Sequence, residues 1–241
     1  WFLSGVFIAG TLLSLIGLIV LSRQPERPLR SHAQGRLRDE YKRPFQDPNF
    51  RKLLFFGVWW MLAIGVGSAF WGPFMLKKLE MGMFRMQLYG SLHAAASLVA
   101  YNFWGRFIDR FGNKTAMKIC VALGGLNPML WLFTAPGSYG ILWFEAILSG
   151  SMWAGNAIVT TNFVLSIAPR GKQQVYSGLY GAIAGVSMMA STLLSGVFFP
   201  SSLDLGFRIL EPEQVVFGLG GILRWLAIIP LLGVVEKHTV P

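Results

Sequence analysis

Two ionisable residues stand inside long apolar runs of this sequence, Glu145 and Arg224. A charge at the centre of a hydrocarbon span costs about 2.5–3.5 kcal/mol by insertion scales, so such a group turns toward a cavity, a partner or the nearer interface. Glu145 is followed by Ser149, Asn156 and Thr160 at i+4, i+11 and i+15, one face of a helix, with Trp153 beside them. Two other apolar runs carry comparable rows: His93, Ser97 and Tyr101 in one, and Tyr176, Tyr180, Ser187 and Ser191 in the other. Any single Ser or Thr can simply stitch helices together. Three polar rows at once predict a polar cavity, with Glu145, Ser149, Asn156, Thr160, His93 and Tyr180 as its candidate lining.

Each of these residues also has a plainer reading. Glu145 lies about one turn into its run, close enough to an interface to snorkel or end the helix. His93 can relay protons near neutral pH, but a lone histidine is more often a structural donor. Arg224 could bind an anion or pair with a carboxylate. Trp59, Trp60 and Trp71 could stack on a flat ligand or anchor a helix at the interface.

A second constellation is Gly105, Asp109, Arg110, Gly112 and Lys114, within WGRFIDRFGNK between two apolar runs. A charged connector this short, punctuated by glycine, predicts a tight turn between two helices. Asp109 is suited to a helix N-terminus, where free N–H groups and the macrodipole favour a carboxylate. The run beginning near residue 173 offers one, with Arg170 and Lys172 nearby; the plainer reading is that Asp109 caps its own turn.

The elements that must hold these groups follow from composition. The chain has 241 residues, 54% of them hydrophobic and 13% charged, with mean hydropathy +0.52. So little charge excludes a soluble domain of this size and indicates an integral membrane protein. Seven apolar windows suit helical spans of about 20 residues: 1–21, 53–76, 86–104, 116–135, 141–167, 175–199 and 215–235. The short alternating segments of a membrane β-barrel are absent. Residue 1 is Trp, with no basic leader ahead of the first apolar run, so the expectation is a chain that starts inside a longer protein.

Lys and Arg divide unevenly among the connectors: nine in 22–52, four in 104–118, two in 168–174 and one after 235. The connectors between carry three (Lys77, Lys78, Arg85), none, and one (Arg208). The positive-inside rule puts the first set in the cytoplasm, the N-terminus outside and the C-terminus inside. The net charge of +10 is that of basic connectors beside anionic lipid and calls for no nucleic acid. The single Cys120 excludes an internal disulfide and a cysteine metal site; neither metal nor cofactor is expected. No H-E-x-x-H stretch or comparable catalytic motif occurs, so enzymatic activity is not expected.

The turn pattern, read as G-x-x-x-D-R-x-G-x-K, resembles the loop signature of the major facilitator superfamily of secondary transporters. Asn113 stands where that family usually has Arg or Lys. The resemblance extends to the order of parts, a long basic linker preceding the signature by two helices. It implies an all-α integral membrane fold with seven transmembrane helices. Residues 1–22 would be the last helix of a first bundle, 23–50 a cytoplasmic linker and 51–241 a six-helix half of inverted three-helix repeats. It further implies alternating access in the plasma membrane, with 53–76, 86–104, 141–167 and 175–199 lining the path. The runs 116–135 and 215–235 would face lipid, which favours a structural or interfacial Arg224. Asp109 would act in a gating latch. The implied partners are a small-molecule substrate, the bilayer, the N-terminal half of the same protein and, as one option, a coupling proton or ion. A seven-helix receptor is the alternative, since Asp109-Arg110 could mark the end of its third helix. Against it stand the long first connector, the unpaired Cys120 and a last span with Pro230 but no Asn-Pro-x-x-Tyr.

Overall fold

The computed structural model describes residues 11–12, 14–20, 22–23, 37–204, 206 and 209–236. Two units divide the chain, Trp1–Arg36 and Leu37–Pro241. In the first, residues 14–20 are helical; more than half of the expected first span and residues 24–36 of the linker, together with Arg208, lie outside the described residues.

The second unit opens with α1 (Leu37–Gln46), within the stretch read as linker, and α2 (Pro48–Ser68). Asp47 starts α2 by accepting from the N–H groups of Asn49 and Phe50 at 2.8 and 3.2 Å, and Pro48 sits where no intrahelical donor is needed. The window 53–76 is interrupted at residues 69–70 and resumes as α3 (Trp71–Lys77). Next come α4 (Met83–Phe111), α5 (Asn113–Trp131), α6 (Ile141–Ile167) and α7 (Gln173–Val197). A small hairpin, β1 (Leu203–Asp204) against β2 (Ile209–Leu210), leads to α8 (Pro212–Leu226) and α9 (Ile228–Leu232).

Among the described residues, three helical stretches are long and apolar enough to cross a membrane by length and composition: Pro48–Lys77, Gln173–Val197 and Pro212–Leu232. At about 1.5 Å per residue, the 29 residues of α4 and 27 of α6 also exceed a ~30 Å hydrocarbon core. Near its ends α4 carries Arg85, Arg106, Asp109 and Arg110, and α6 carries the buried polar residues Glu145, Ser149 and Asn156.

The main packings are α4 with α6, α2 with α7, α5 with α6, α2 with α8, and α5 with α8. Exchanging α2 for α6, α4 for α7 and α5 for α8 returns the same set of pairs. The α2–α7 and α4–α6 contacts are both close, and each relies on a glycine. A Cβ on Gly65 would stand 1.9 Å from Ser191 Oγ and 2.5 Å from the Met188 carbonyl oxygen. One on Gly150 would stand 2.2 Å from the His93 carbonyl oxygen. Small residues let backbones approach where lipid supplies no hydrophobic drive for association.

Two hydrophobic clusters lie along the bundle. The larger includes Phe50, Phe56, Trp60, Met117, Met152 and Phe163; the smaller gathers Phe74, Met81, Trp131, Leu142 and Phe217. Leu98, Val99, Val186 and Ile229 lie more than half exposed on the outer surface, as hydrocarbon contact requires.

A polar cavity between two hydrophobic clusters

Where the two clusters meet, six helices enclose a cavity of about 340 Å³, near the lower end of the usual range for small-molecule sites. Its only carboxylate is Glu145, which is 2% exposed. Tyr89 Oη of α4 donates to Glu145 Oε2 at 2.5 Å, and the polar groups of Trp131 and Ser149 lie beside the carboxylate. These neutral groups stand in for the water that a buried carboxylate loses.

Arg224 of α8 enters from another side and is 5% exposed. Its Nη1 donates to the Gly124 carbonyl oxygen at 3.1 Å, whereas the buried Nε has no partner. Glu145 acts on it through electrostatic attraction, but the two form no contact ion pair. Among the described residues the only salt bridge is Lys78–Glu211. Asn127, one turn beyond Gly124 on α5, is 3% exposed, with both amide heteroatoms unpartnered. The walls are aromatic. Trp71 stacks on Phe217 at 3.9 Å with a 2° interplanar angle and meets Trp131 edge-on at 4.5 Å; Tyr89 is edge-on to Trp131 at 6.0 Å. Trp153, His93, Ser149 and Ile64 also line it, with Met75 and Gly90.

The glycine-punctuated pattern sits at the other end of α5. Gly105, Asp109 and Arg110 are helical, in the last two turns of α4. The expected turn therefore contracts to one residue, Gly112, at φ 82°, with α5 starting at Asn113. Non-glycine residues adopt that φ only at a cost. Asp109 is exposed and makes no hydrogen bond among the described residues.

The carboxylate that serves this turn is Glu236. It accepts from Asn113 N at 2.7 Å, Asn113 Nδ2 at 2.9 Å and Lys114 N at 3.0 Å, satisfying free N–H groups in the first turn of α5. Lys114 Nζ returns the contact, donating to the carbonyl oxygens of Leu232 and Val234 at 2.9 and 2.7 Å, where α9 ends. Asn113 Oδ1 accepts from Asn162 Nδ2 of α6 at 2.9 Å. Asn49 and Val235 exchange two further bonds, at 2.8 and 2.9 Å.

The family model of the Major Facilitator Superfamily matches residues 1–192, more than three quarters of the chain. This chain belongs to the major facilitator superfamily. It is an integral membrane protein, and its family points to transport rather than catalysis. Among curated proteins, the rubrofusarin-specific efflux pump of Gibberella zeae is 26% identical over 110 residues, 46% of this chain and 20% of the relative.

Within this facilitator chain the six candidate cavity residues fall into two groups. Glu145, Ser149 and His93 line the cavity. Asn156, two turns and about 10 Å farther along α6 than Ser149, is buried outside it with Oδ1 unpartnered. Tyr180 lies over Gly57 and within hydrogen-bonding reach of Thr160, where α2, α6 and α7 meet. Arg224 is buried rather than interfacial, and its bond to Gly124 ties α8 to α5; α8 keeps an exposed apolar face at Leu219 and Ile222, while Arg224, Asn127 and Trp131 turn inward from α8 and α5. Trp71, read as a candidate anchor, is part of the aromatic wall. Tyr89 escaped the sequence reading although it starts the row Tyr89, His93, Ser97, Tyr101 at steps of four. Glu236 left no signal, since a lone acid in a terminal segment says nothing of which helix start it meets.

Proposed function

We propose that this chain is the second half of a secondary transporter and moves a small solute by alternating access. Residues 1–22 serve as the last helix of the first bundle, 23–50 as a cytoplasmic linker and 51–241 as the six-helix half. The observation that carries the reading is the cavity: a buried acid and a buried guanidinium, unpaired with each other, among aromatic walls in a helix bundle. Polar groups within a membrane bundle are costly, and they mark solute or proton paths. The exchange of packing partners between α2/α4/α5 and α6/α7/α8 supports inverted repeats. The Lys/Arg asymmetry supports an outside N-terminus and a cytoplasmic C-terminus in a plasma membrane. The N-terminal half of the same protein supplies the facing wall, and Glu145 is the group assigned to a coupling proton. The relative's printed name makes efflux the direction to examine first.

The test uses the full-length protein in vesicles, measuring solute flux with and without an imposed pH gradient. Wild type should accumulate solute with the gradient, and Glu145→Gln should keep exchange but lose gradient-driven accumulation. Accumulation by Glu145→Gln equal to wild type would remove Glu145 from coupling. Absence of flux for every solute class would remove the transporter reading. Single cysteines at 170–174 should label from the cytoplasm and those at 78–82 from outside; labelling of both from one side would overturn the topology.

A further inference from the structure

We propose that the cavity recognises a small organic carboxylate with a flat, apolar body, and that Arg224 is the residue that binds its carboxylate. The inference rests on the transporter reading for its physiological meaning, but binding can be tested apart from transport.

The first observation is which edge of the guanidinium is free. Nη1 is committed to the Gly124 carbonyl oxygen, its only hydrogen bond among the described residues. Nε is buried without a partner, and the Nε–Nη2 side is an edge on which a planar guanidinium can take a carboxylate through two parallel bonds. A buried donor left unmade is costly, so an unpartnered Nε in a residue 5% exposed marks a place for an acceptor.

The second observation is Asn127. Its Oδ1 and Nδ2 are both unpartnered at 3% exposure, one helical turn from the carbonyl that holds Arg224. An amide here can donate to a carboxylate oxygen while accepting from a hydroxyl on the same molecule. Third, Glu145 does not compete as the recognition group. Its carboxylate already accepts from the Tyr89 hydroxyl at 2.5 Å and lies beside the polar groups of Trp131 and Ser149. A cationic ligand would have to displace those groups and lie in the field of Arg224. An anionic one finds a guanidinium edge with no protein partner.

The rest of the ligand follows from the walls. Trp71, Trp131, Trp153 and Tyr89 present ring faces and edges around about 340 Å³, a space suited to one ring system rather than a long chain. Aromatic surfaces of this kind favour offset-stacked or edge-on partners.

The experiment titrates purified full-length protein with benzoate, benzamide, benzylammonium and acetate at fixed ionic strength. Thermal shift and the fluorescence of the cavity tryptophans are the readouts. Benzoate should bind at least about tenfold more tightly than the other three, a tenfold ratio corresponding to about 1.4 kcal/mol. Arg224→Gln should erase the preference for benzoate over benzamide. Arg224→Lys should keep part of it, since the charge survives and the two-donor edge does not. If Arg224→Gln fails to fold, the comparison of the four probes on wild type still decides. Benzamide or benzylammonium matching benzoate overturns the proposal, as does failure of benzoate to bind. Binding of benzoate without flux of any solute in vesicles would overturn the transporter reading and leave the carboxylate class standing. Flux of cations or neutral solutes, unaffected by Arg224→Gln, would do the reverse.

Discussion

The two ends of α5, about 27 Å apart, are each organised by one carboxylate, and the two are held differently. At one end Glu145 is 2% exposed; it accepts from Tyr89 of α4 and lies beside side chains of α5 and of its own helix. At the other, Glu236 binds donors from consecutive residues, Asn113 and Lys114. The buried carboxylate depends on a tertiary arrangement that no local segment could reproduce. The terminal one uses a feature every helix offers, a first turn of unpaired N–H groups. Loss of the first should therefore disturb the whole bundle, and loss of the second should loosen one helix start.

The largest expected effect is at the buried end. Glu145→Leu strands the Tyr89 hydroxyl donor and removes the nearby countercharge of Arg224; a buried donor left unmade typically costs about 1–3 kcal/mol, and more where a charge is involved. Unfolding in detergent should show it, with Glu145→Gln much milder. A Glu145→Leu protein within about 1 kcal/mol of wild type would break the contrast, because surface substitutions away from special features stay within about 0.5 kcal/mol.

Next comes the support of the cavity wall. Gly150→Val forces α6 from the His93 carbonyl of α4 and should cost about 1–3 kcal/mol. It should also reduce ligand access to the cavity, because His93 and Ser149 line it from these two helices. An unaltered melting temperature would mean that the α4–α6 crossing yields easily.

At the capped end, Glu236→Ala should cost about 0.5–2 kcal/mol, the usual range for losing an N-terminal cap. Hydrogen exchange should rise at residues 113–116 and stay unchanged around Glu145. Protection lost equally at both ends of α5 would show that the ends are coupled. Asp109→Asn, on an exposed residue one turn before Gly112, should alter stability by no more than about 0.5 kcal/mol. A large loss would give Asp109 a part in holding the fold, separate from the gating role the family resemblance implies.

The smallest effect belongs to the link between α3 and α8. Lys78 Nζ lies 2.7 Å from Glu211 Oε2, and the hydrogen bond to Glu211 raises the Lys78 pKa above its ordinary value of 10.5. A raised lysine pKa stabilises the fold fully below the unfolded value and loses that contribution as pH rises through the folded one. Lys78→Met should therefore leave the pH profile of stability flat at neutrality and change it only above about pH 10.5. The difference between the two proteins should shrink with added salt. A difference that grows between pH 6 and 8 would place the relevant charge elsewhere.

Hydropathy and the polar rows carried much of this protein in one dimension. The apolar windows from 53–76 onward correspond to helical stretches, because a backbone in lipid must satisfy its own hydrogen bonds. Glu145 and Arg224 announced themselves because charge in such windows is rare. Even the family was legible, since Gly105, Asp109, Arg110, Gly112 and Lys114 stand at fixed spacing. Periodicity reports which residues share a face, but not which neighbour that face meets or at what height. Only tertiary structure separated Ser149 from Asn156 on one stripe, turned Arg224 inward from α8, and brought Asn127 and Trp131 to the same cavity. Only tertiary structure carried Glu236 back across more than a hundred residues to the start of α5. Those outcomes depend on where helices cross, and the crossings are set by pairs such as Gly65 with Ser191 and Gly150 with His93. Each member of such a pair is unremarkable in its own segment, and close packing alone makes the two partners.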